Sequence, residues 1–215
     1  MDYINIALSK GRLTNKTFEL LSGIGIDFDD YSPESRKLIF MNKDKKIRIV
    51  SVKASDVPIY VEQGAADLGI SGKDVLIETA ADVYELMDLG FGRCKCVVAA
   101  LREKKLEPDK KLRVATKYPN TAKKYFLSKG IPIEIIKLNG SVELAPLMGL
   151  SDVIVDIVET GKTLKENGLD VIDEICQVSA RLIINKASLK TKAHEISNIL
   201  RGLELLMNKK GVNAV

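Results

Sequence analysis

Short apolar runs of strand length alternate with helix-patterned segments along almost the whole chain, and that rhythm leaves few folds open. The runs fall at residues 4–8, 38–41, 47–52, 96–101, 112–116, 133–137, 153–158 and 181–184. Helical patterns lie between many of them. Residues 14–21 carry Phe18, Leu20 and Leu21 and stop at Gly23. Residues 55–63 open with Ser55-Asp56 and an early Pro58, which suits a first helical turn. Asn120 is expected to cap a helix over 121–129, with Gly130 as its stop, and Ser141 to cap a short helix ending near Gly149. The last helix places Ile196, Ile199, Leu200, Leu203 and Met207 on one face. Strands separated by helices predict an α/β fold with mostly parallel strands.

Two stretches share a finer rhythm. Residues 66–75 read as a small residue, Asp67, an apolar run and then Ser71-Gly72-Lys73. Ser151-Asp152 opens the second stretch, which runs through Asp156 into Thr160-Gly161-Lys162-Thr163 in the same order. Each reads as strand, tight loop and helix start. The 215-residue chain is therefore expected to form two α/β lobes, each presenting a helix start to a shared cleft. The first lobe is placed at 1–92 and completed by 176–215, the second at 93–175, with crossings near Gly92 and Cys176.

Composition removes several chemistries. The single histidine, His194, excludes metal sites built on imidazoles. Cys94, Cys96 and Cys176 form no disulfide framework and lack zinc spacing, so they read as free thiols near the core. The net charge is +4, and the lysine pairs 45–46, 104–105, 110–111, 123–124 and 209–210 read as solvated surface. With 5% aromatic residues and no tryptophan, a base-stacking platform for nucleic acid is not expected. A mild positive excess suits a polyanionic small molecule. No basic leader precedes the run at 4–8, and no apolar stretch reaches the roughly 18–20 residues that span a bilayer. The expected compartment is the cytoplasm, with no membrane partner.

The chemistry concentrates where residues 153–158 meet Glu159-Thr160-Gly161-Lys162-Thr163. A buried strand runs into a loop with two hydroxyls, a glycine and a lysine, and a helical pattern resumes at Leu164. Backbone amides, the two threonine hydroxyls and the helix start converge on one place, which suits a phosphate. Gly161 lets the backbone come close to the anion. A Walker A loop needs a glycine where Asp156 stands, so nucleotide hydrolysis of that kind is not expected. An acid before the loop suits a ribose 5-phosphate, with Asp156 accepting from the ribose hydroxyls. Taken alone, the tetrapeptide fits an ordinary strand-to-helix turn with a capping threonine equally well. A second anion site is expected at Ser9-Lys10-Gly11-Arg12, again after a strand, and Arg36 stands directly before another.

Together these segments resemble the ATP phosphoribosyltransferase family in its short form, over nearly the whole chain. The resemblance is carried by Ala7-Leu8-Ser9-Lys10-Gly11-Arg12-Leu13, Ser35-Arg36-Lys37-Leu38, Ser55-Asp56-Val57-Pro58 and residues 64–75. It is also carried by a signature running from Glu143 through Gly149, Ser151, Ile154 and Asp156 to Thr160-Gly161-Lys162-Thr163-Leu164.

The resemblance implies a two-lobed fold like the type II periplasmic binding proteins, with the active site in the cleft. It implies that N1 of ATP attacks C1 of phosphoribosyl pyrophosphate, with substrate-bound Mg²⁺ and release of pyrophosphate, at the first step of histidine biosynthesis. Thr160, Gly161, Lys162 and Thr163 are then expected at the 5′-phosphate, and Asp156 and Glu143 at the ribose hydroxyls. Lys10, Arg12 and Arg36 become catalytic residues at the pyrophosphate or the ATP phosphates. Glu159, Ser71, Gly72 and Lys73 complete the substrate-binding set. The implied assembly is a homodimer or larger, paired with a regulatory subunit related to histidyl-tRNA synthetase.

Two other readings share parts of the pattern. A solute- or effector-binding protein of the same architecture would use the cleft without chemistry, but no export signal or helix-turn-helix is evident. A salvage phosphoribosyltransferase acting on a free base carries two adjacent acids before the loop, and Val155 occupies the first of those positions.

Overall fold

A computed structural model describes residues 3–102 and 110–209. The lysines at 104–105, Lys210 and the tail beyond it lie outside the described residues. Two units emerge, one running up to Gly92 and resuming at Ser179, the other spanning Arg93–Val178. The return comes at Ser179 and not at Cys176, because Val178 still pairs with Cys94 across the second unit's sheet.

The first unit opens with β1 (Ile4–Ser9), α1 (Arg12–Ser22), β2 (Ile39–Asn42) and β3 (Ile47–Val52). It continues through α2 (Val57–Glu62), β4 (Leu68–Gly72), α3 (Lys73–Thr79) and β5 (Tyr84–Asp88). The second unit contains β6 (Cys94–Leu101), β7 (Leu112–Thr116), α4 (Pro119–Ser128), β8 (Ile133–Lys137) and α5 (Leu144–Leu147). It ends with β9 (Val153–Val158), α6 (Lys162–Glu166) and β10 (Leu169–Val178). The chain then returns as β11 (Ala180–Ile184), α7 (Ser188–Thr191) and α8 (Ala193–Lys209).

Each unit is a sheet covered on both faces, which is why its central strands read as nearly continuous apolar runs. The first sheet has the order β2-β3-β1-β4-β11-β5 and the second β10-β6-β9-β7-β8. On β1, Ile4, Ile6 and Leu8 face a core shared with Leu20 and Leu21 of α1 and with Ile196, Ile199, Leu203 and Met207 of α8. Ala7 points the other way, onto Val57 and Val61 of α2. That helix lies so close to β4 that a Cβ at Gly69 would stand 2.6 Å from Val61 Cγ2, so only glycine fits. The stripe expected on the last helix is the one buried, with Leu200 at its margin.

The strands are mixed in direction, which corrects the expectation of mostly parallel pairing. The pairs β1–β3, β1–β4, β7–β8 and β7–β9 are parallel. The pairs β2–β3, β4–β11, β5–β11, β6–β9 and β6–β10 are antiparallel. β2 and β3 form a hairpin, and β11 enters the first sheet against the direction of β4. Neither arrangement needs the crossover helix that the strand–helix rhythm implied.

Two strands went unread in the sequence. β5 and β10 are both sheet edges, and their sequences YELMD and LDVIDEICQV mix charge with apolar residues. An edge strand leaves one side to solvent and is protected by charge, so it loses the apolar run that marks a central strand. Tyr125 of α4 and Lys129 just after it both bond Asp173 of β10, and these bonds, Lys129 first, lower the Asp173 carboxyl to about 2.

Helix starts moved as well. α4 begins at Pro119, not after Asn120, because proline's fixed φ and missing N–H suit the first helical position. Tyr118 precedes it, its amide donating to Thr116 Oγ1 at 2.8 Å. Ser141 is not a side-chain cap. It has φ 47°, and its carbonyl accepts from Leu144 N at 3.2 Å, so α5 starts three residues later. Among the described residues no helix is long and apolar enough to cross a membrane. Cys96 lies opposite Cys176, and all three cysteines pack in one core cluster of the second unit.

Candidate active site

In the second unit, β9 delivers Asp156 on the sheet face that also carries Ile154, opposite Val97 of β6. That face is covered by Val142 and Ala145, which flank Glu143, and by Leu164, which follows Thr163. One apolar cluster therefore packs three things together on one side of the sheet. These are the strand bearing Asp156, the start of α5 with Glu143, and the loop Glu159-Thr160-Gly161-Lys162-Thr163. The spacing along the sequence, from Glu143 to Thr163, is closed in space by ordinary burial.

The loop itself is exposed at Glu159, Thr160, Lys162 and Thr163. Gly161 has φ 74° and ψ 4°, a left-handed conformation that side chains rarely adopt. A Cβ there would meet only Val158 Cγ1, at 3.7 Å, so the glycine serves backbone conformation and close approach rather than packing. Thr160 Oγ1 accepts from Lys162 N at 3.4 Å, folding the hydroxyl back over the loop. Lys162 pairs with Glu166 at 3.7 Å, but its side chain stays 80% exposed and free to turn. α6 has only five residues, so the loop presents first-turn amides and hydroxyls rather than the dipole of a long helix.

Arg113 braces the approach to β9. Its Nη1 donates to Gly149 O at 3.0 Å and its Nη2 to Asp152 Oδ1 at 3.0 Å, while Asp152 Oδ2 accepts from its amide at 2.9 Å. The bond to Asp152 raises the guanidinium above its ordinary pKa, keeping it charged. Gly149 turns with φ 70° at that contact. This brace gives Gly149 of the signature a structural role.

In the first unit the basic residues gather at the carboxyl ends of the strands. Gly11, with φ 125°, starts α1, so Arg12 is the first helical residue and is exposed. Lys10 Nζ donates to Ser35 O at 3.3 Å, which ties the loop after β1 to the segment bearing Arg36. Arg36 is exposed ahead of β2. β4 lies beside β1, with Leu8 opposite Ile70, so Ser71, Gly72 and Lys73 follow at the same sheet end. Ser71 is buried at 2% exposure, its Oγ 3.4 Å from Gly72 O, and Gly72 caps α3 in an extended conformation. Lys73 Nζ is held by Glu85 Oε2 at 2.5 Å.

The residues singled out in the sequence thus fall into two sets. Lys10, Arg12, Arg36, Ser71, Gly72 and Lys73 belong to the first unit; Glu143, Asp156, Glu159, Thr160, Gly161, Lys162 and Thr163 belong to the second. Sequence reading passed over Glu85 and Ser179, which bond Lys73, and Arg181 and Asp88, which are linked to them. They lie on β5 and in the returning segment, and nothing in their local spacing links them.

A family profile described as ATP phosphoribosyltransferase matches residues 53–205. An ATP phosphoribosyltransferase of Clostridioides difficile is 56% identical, covering 97% of this chain and 100% of its own. One from Oceanobacillus iheyensis is 50% identical, covering 96% and 100%. Among solved structures, a chain of the ATP phosphoribosyl transferase (HisG:HisZ) complex from Thermotoga maritima superposes with a TM-score of 0.86 at 37% identity. It covers 96% of this chain and 99% of that one. The periplasmic aliphatic sulphonate binding protein SsuA from Escherichia coli superposes with a TM-score of 0.58 at 14% identity, over 98% of this chain and 76% of its own. That likeness shows the fold alone, and it is the type II periplasmic-binding-protein-like α/β fold expected. With a profile over most of its length and relatives that align almost completely at half identity or better, the chain belongs to the ATP phosphoribosyltransferase family, which opens histidine biosynthesis.

Proposed function

We propose that this chain joins N1 of ATP to C1 of phosphoribosyl pyrophosphate, with the ribose 5-phosphate held by Thr160, Gly161, Lys162 and Thr163. The observation that carries this reading is the shared cluster of Val142, Ala145, Ile154 and Leu164, which sets Glu143, Asp156 and the loop on one sheet face. Asp156 and Glu143 accept from the ribose hydroxyls, and Glu159 borders the loop. Lys10, Arg12 and Arg36 meet the pyrophosphate or the ATP phosphates, with Ser71, Gly72 and Lys73 at the same sheet end.

The reaction forms one N1–C1 bond and breaks one C1–O bond to pyrophosphate. Positive charge develops on the ribose as negative charge grows on the leaving group. A carboxylate near the ribose and cations near the pyrophosphate lower that barrier without a nucleophilic side chain. Mg²⁺ fits this site as an ion carried by the substrate. Among the described residues no three His, Cys, Asp or Glu side chains gather to hold a metal, and Mg²⁺ commonly takes phosphate oxygens and water. When bound it neutralises charge on the pyrophosphate.

Thr163→Ala tests the loop. Losing a hydrogen bond to a charged group should weaken phosphoribosyl pyrophosphate binding about tenfold to hundredfold, with ATP binding little changed. Equal weakening of both substrates in calorimetry would instead report a folding defect and count against the assignment.

The similar Thermotoga structure is a complex of two proteins. We read this chain likewise as a cytoplasmic catalytic subunit, a homodimer or larger, paired with a regulatory subunit related to histidyl-tRNA synthetase. Allosteric control needs an effector site coupled to the active site, and on this reading the partner carries it. The isolated chain should then show low turnover and no saturable histidine binding in calorimetry. A histidine site on this chain with matching inhibition would overturn the reading.

A further inference from the structure

Lys73 does not stand alone at the head of α3. Its Nζ donates to Glu85 Oε2 at 2.5 Å. The other oxygen of Glu85 accepts from Arg181 Nη1 at 3.0 Å, and Arg181 Nη2 donates to Asp88 Oδ2 at 3.1 Å. Asp88 also accepts from Gly90 N and from the Ser179 hydroxyl, each at 2.9 Å. The backbone closes the circuit, since Lys73 N donates to Ser179 O at 2.9 Å. The sheet order makes this possible: β11 lies between β4 and β5, with Arg181 opposite Ser71 on one side and Asp88 on the other.

These four side chains alternate in sign and are neutral overall, so they draw an anion weakly by net charge. The network also carries a cost to folding. Arg181 Nε is buried with no hydrogen-bond partner among the described residues, and a buried unpaired donor is a cost to folding. What the relay does provide is placement. A lysine ammonium is a point charge on a flexible stem, whereas the arginine fork can bridge two carboxylates in one plane. Glu85, gripped at one oxygen by Arg181, holds Lys73 with the other.

We propose that Arg181 is a positioning residue for anion binding, which fixes Glu85 and through it the Lys73 ammonium where a pyrophosphate group meets the carboxyl end of β4. This rests on the reading of Lys73 as a substrate-binding residue.

Two charge-preserving variants test it. Arg181→Lys loses the fork, and Glu85→Asp is too short to reach both cations. Binding of inorganic pyrophosphate in the presence of Mg²⁺ is measured by calorimetry for each, alone and combined with Lys73→Met, on protein shown folded by circular dichroism. Lys73→Met should weaken pyrophosphate about tenfold or more. Arg181→Lys and Glu85→Asp should each weaken it about three- to tenfold, and neither should weaken it further once Lys73 is gone. Loss of the same size in the Lys73→Met background would mark a general structural effect and overturn the relay. Unchanged binding in both charge-preserving variants, with Lys73→Met impaired, would overturn the relay but leave Lys73 in the site. Unchanged binding in Lys73→Met would remove Lys73 and the proposal together. Should one relay variant fail to fold, the other still decides.

Discussion

Replacing Arg12 or Arg36 with alanine is expected to lower kcat by on the order of a hundredfold or more, with a smaller change in KM. The reason lies in when the charge is needed. Pyrophosphate gains its negative charge as the C1–O bond breaks, so a cation that meets it acts mainly in the transition state. Both residues sit at the strand ends of the first unit. Arg12 opens α1, and Arg36 lies next to Ser35, whose carbonyl is held by Lys10 at 3.3 Å. A variant with unchanged kcat and raised KM would show a uniform binding role and remove the catalytic one.

Asp67→Ala should destabilise the protein by about 3–5 kcal/mol in urea unfolding. Asp67 is 4% exposed and stands just before β4. Its carboxylate accepts from Asn5 N at 2.8 Å, Ser188 Oγ at 2.7 Å and Lys192 Nζ at 2.9 Å. Removing it takes the carboxylate from Lys192, which keeps only Tyr3 O at 3.0 Å, and leaves an amide and a hydroxyl without their partner. It also unties β1 from α7, which joins the sheet only after the chain has returned from the second unit. Replacing Lys192 with Met in the same protein should recover part of the loss, since no ammonium is then left without its carboxylate. A single-variant loss below about 1 kcal/mol would show the network to be ornamental.

Much of this site was legible in the sequence because its parts are local. A strand, an acid, a glycine and two threonines stand together within residues 153–163, and β9 and α6 form where that pattern put them. The same holds for Lys10, Gly11 and Arg12 after β1. Glu143 was reached through a resemblance, and its place near β9 becomes physical only when Val142 and Ala145 are seen packed with Ile154 and Leu164.

The relay around Lys73 was not legible. Glu85 lies 12 residues from Lys73, and Asp88 lies 91 residues from its Ser179 partner. Lysines and glutamates at such separations look like any solvated surface pair until the sheet order is known.

Periodicity and short motifs determined the α/β class, the central strands, the apolar face of α8 and the strand, loop and helix start over 153–164, because each depends on contacts between near neighbours in the chain. Tertiary structure alone decided the mixed direction of the strands, the edge positions of β5 and β10, the point of return at Ser179 and the partners of Asp67 and Lys73. Those depend on which distant segments pair, and pairing is settled by burial and hydrogen bonding across the finished sheet rather than by any local preference.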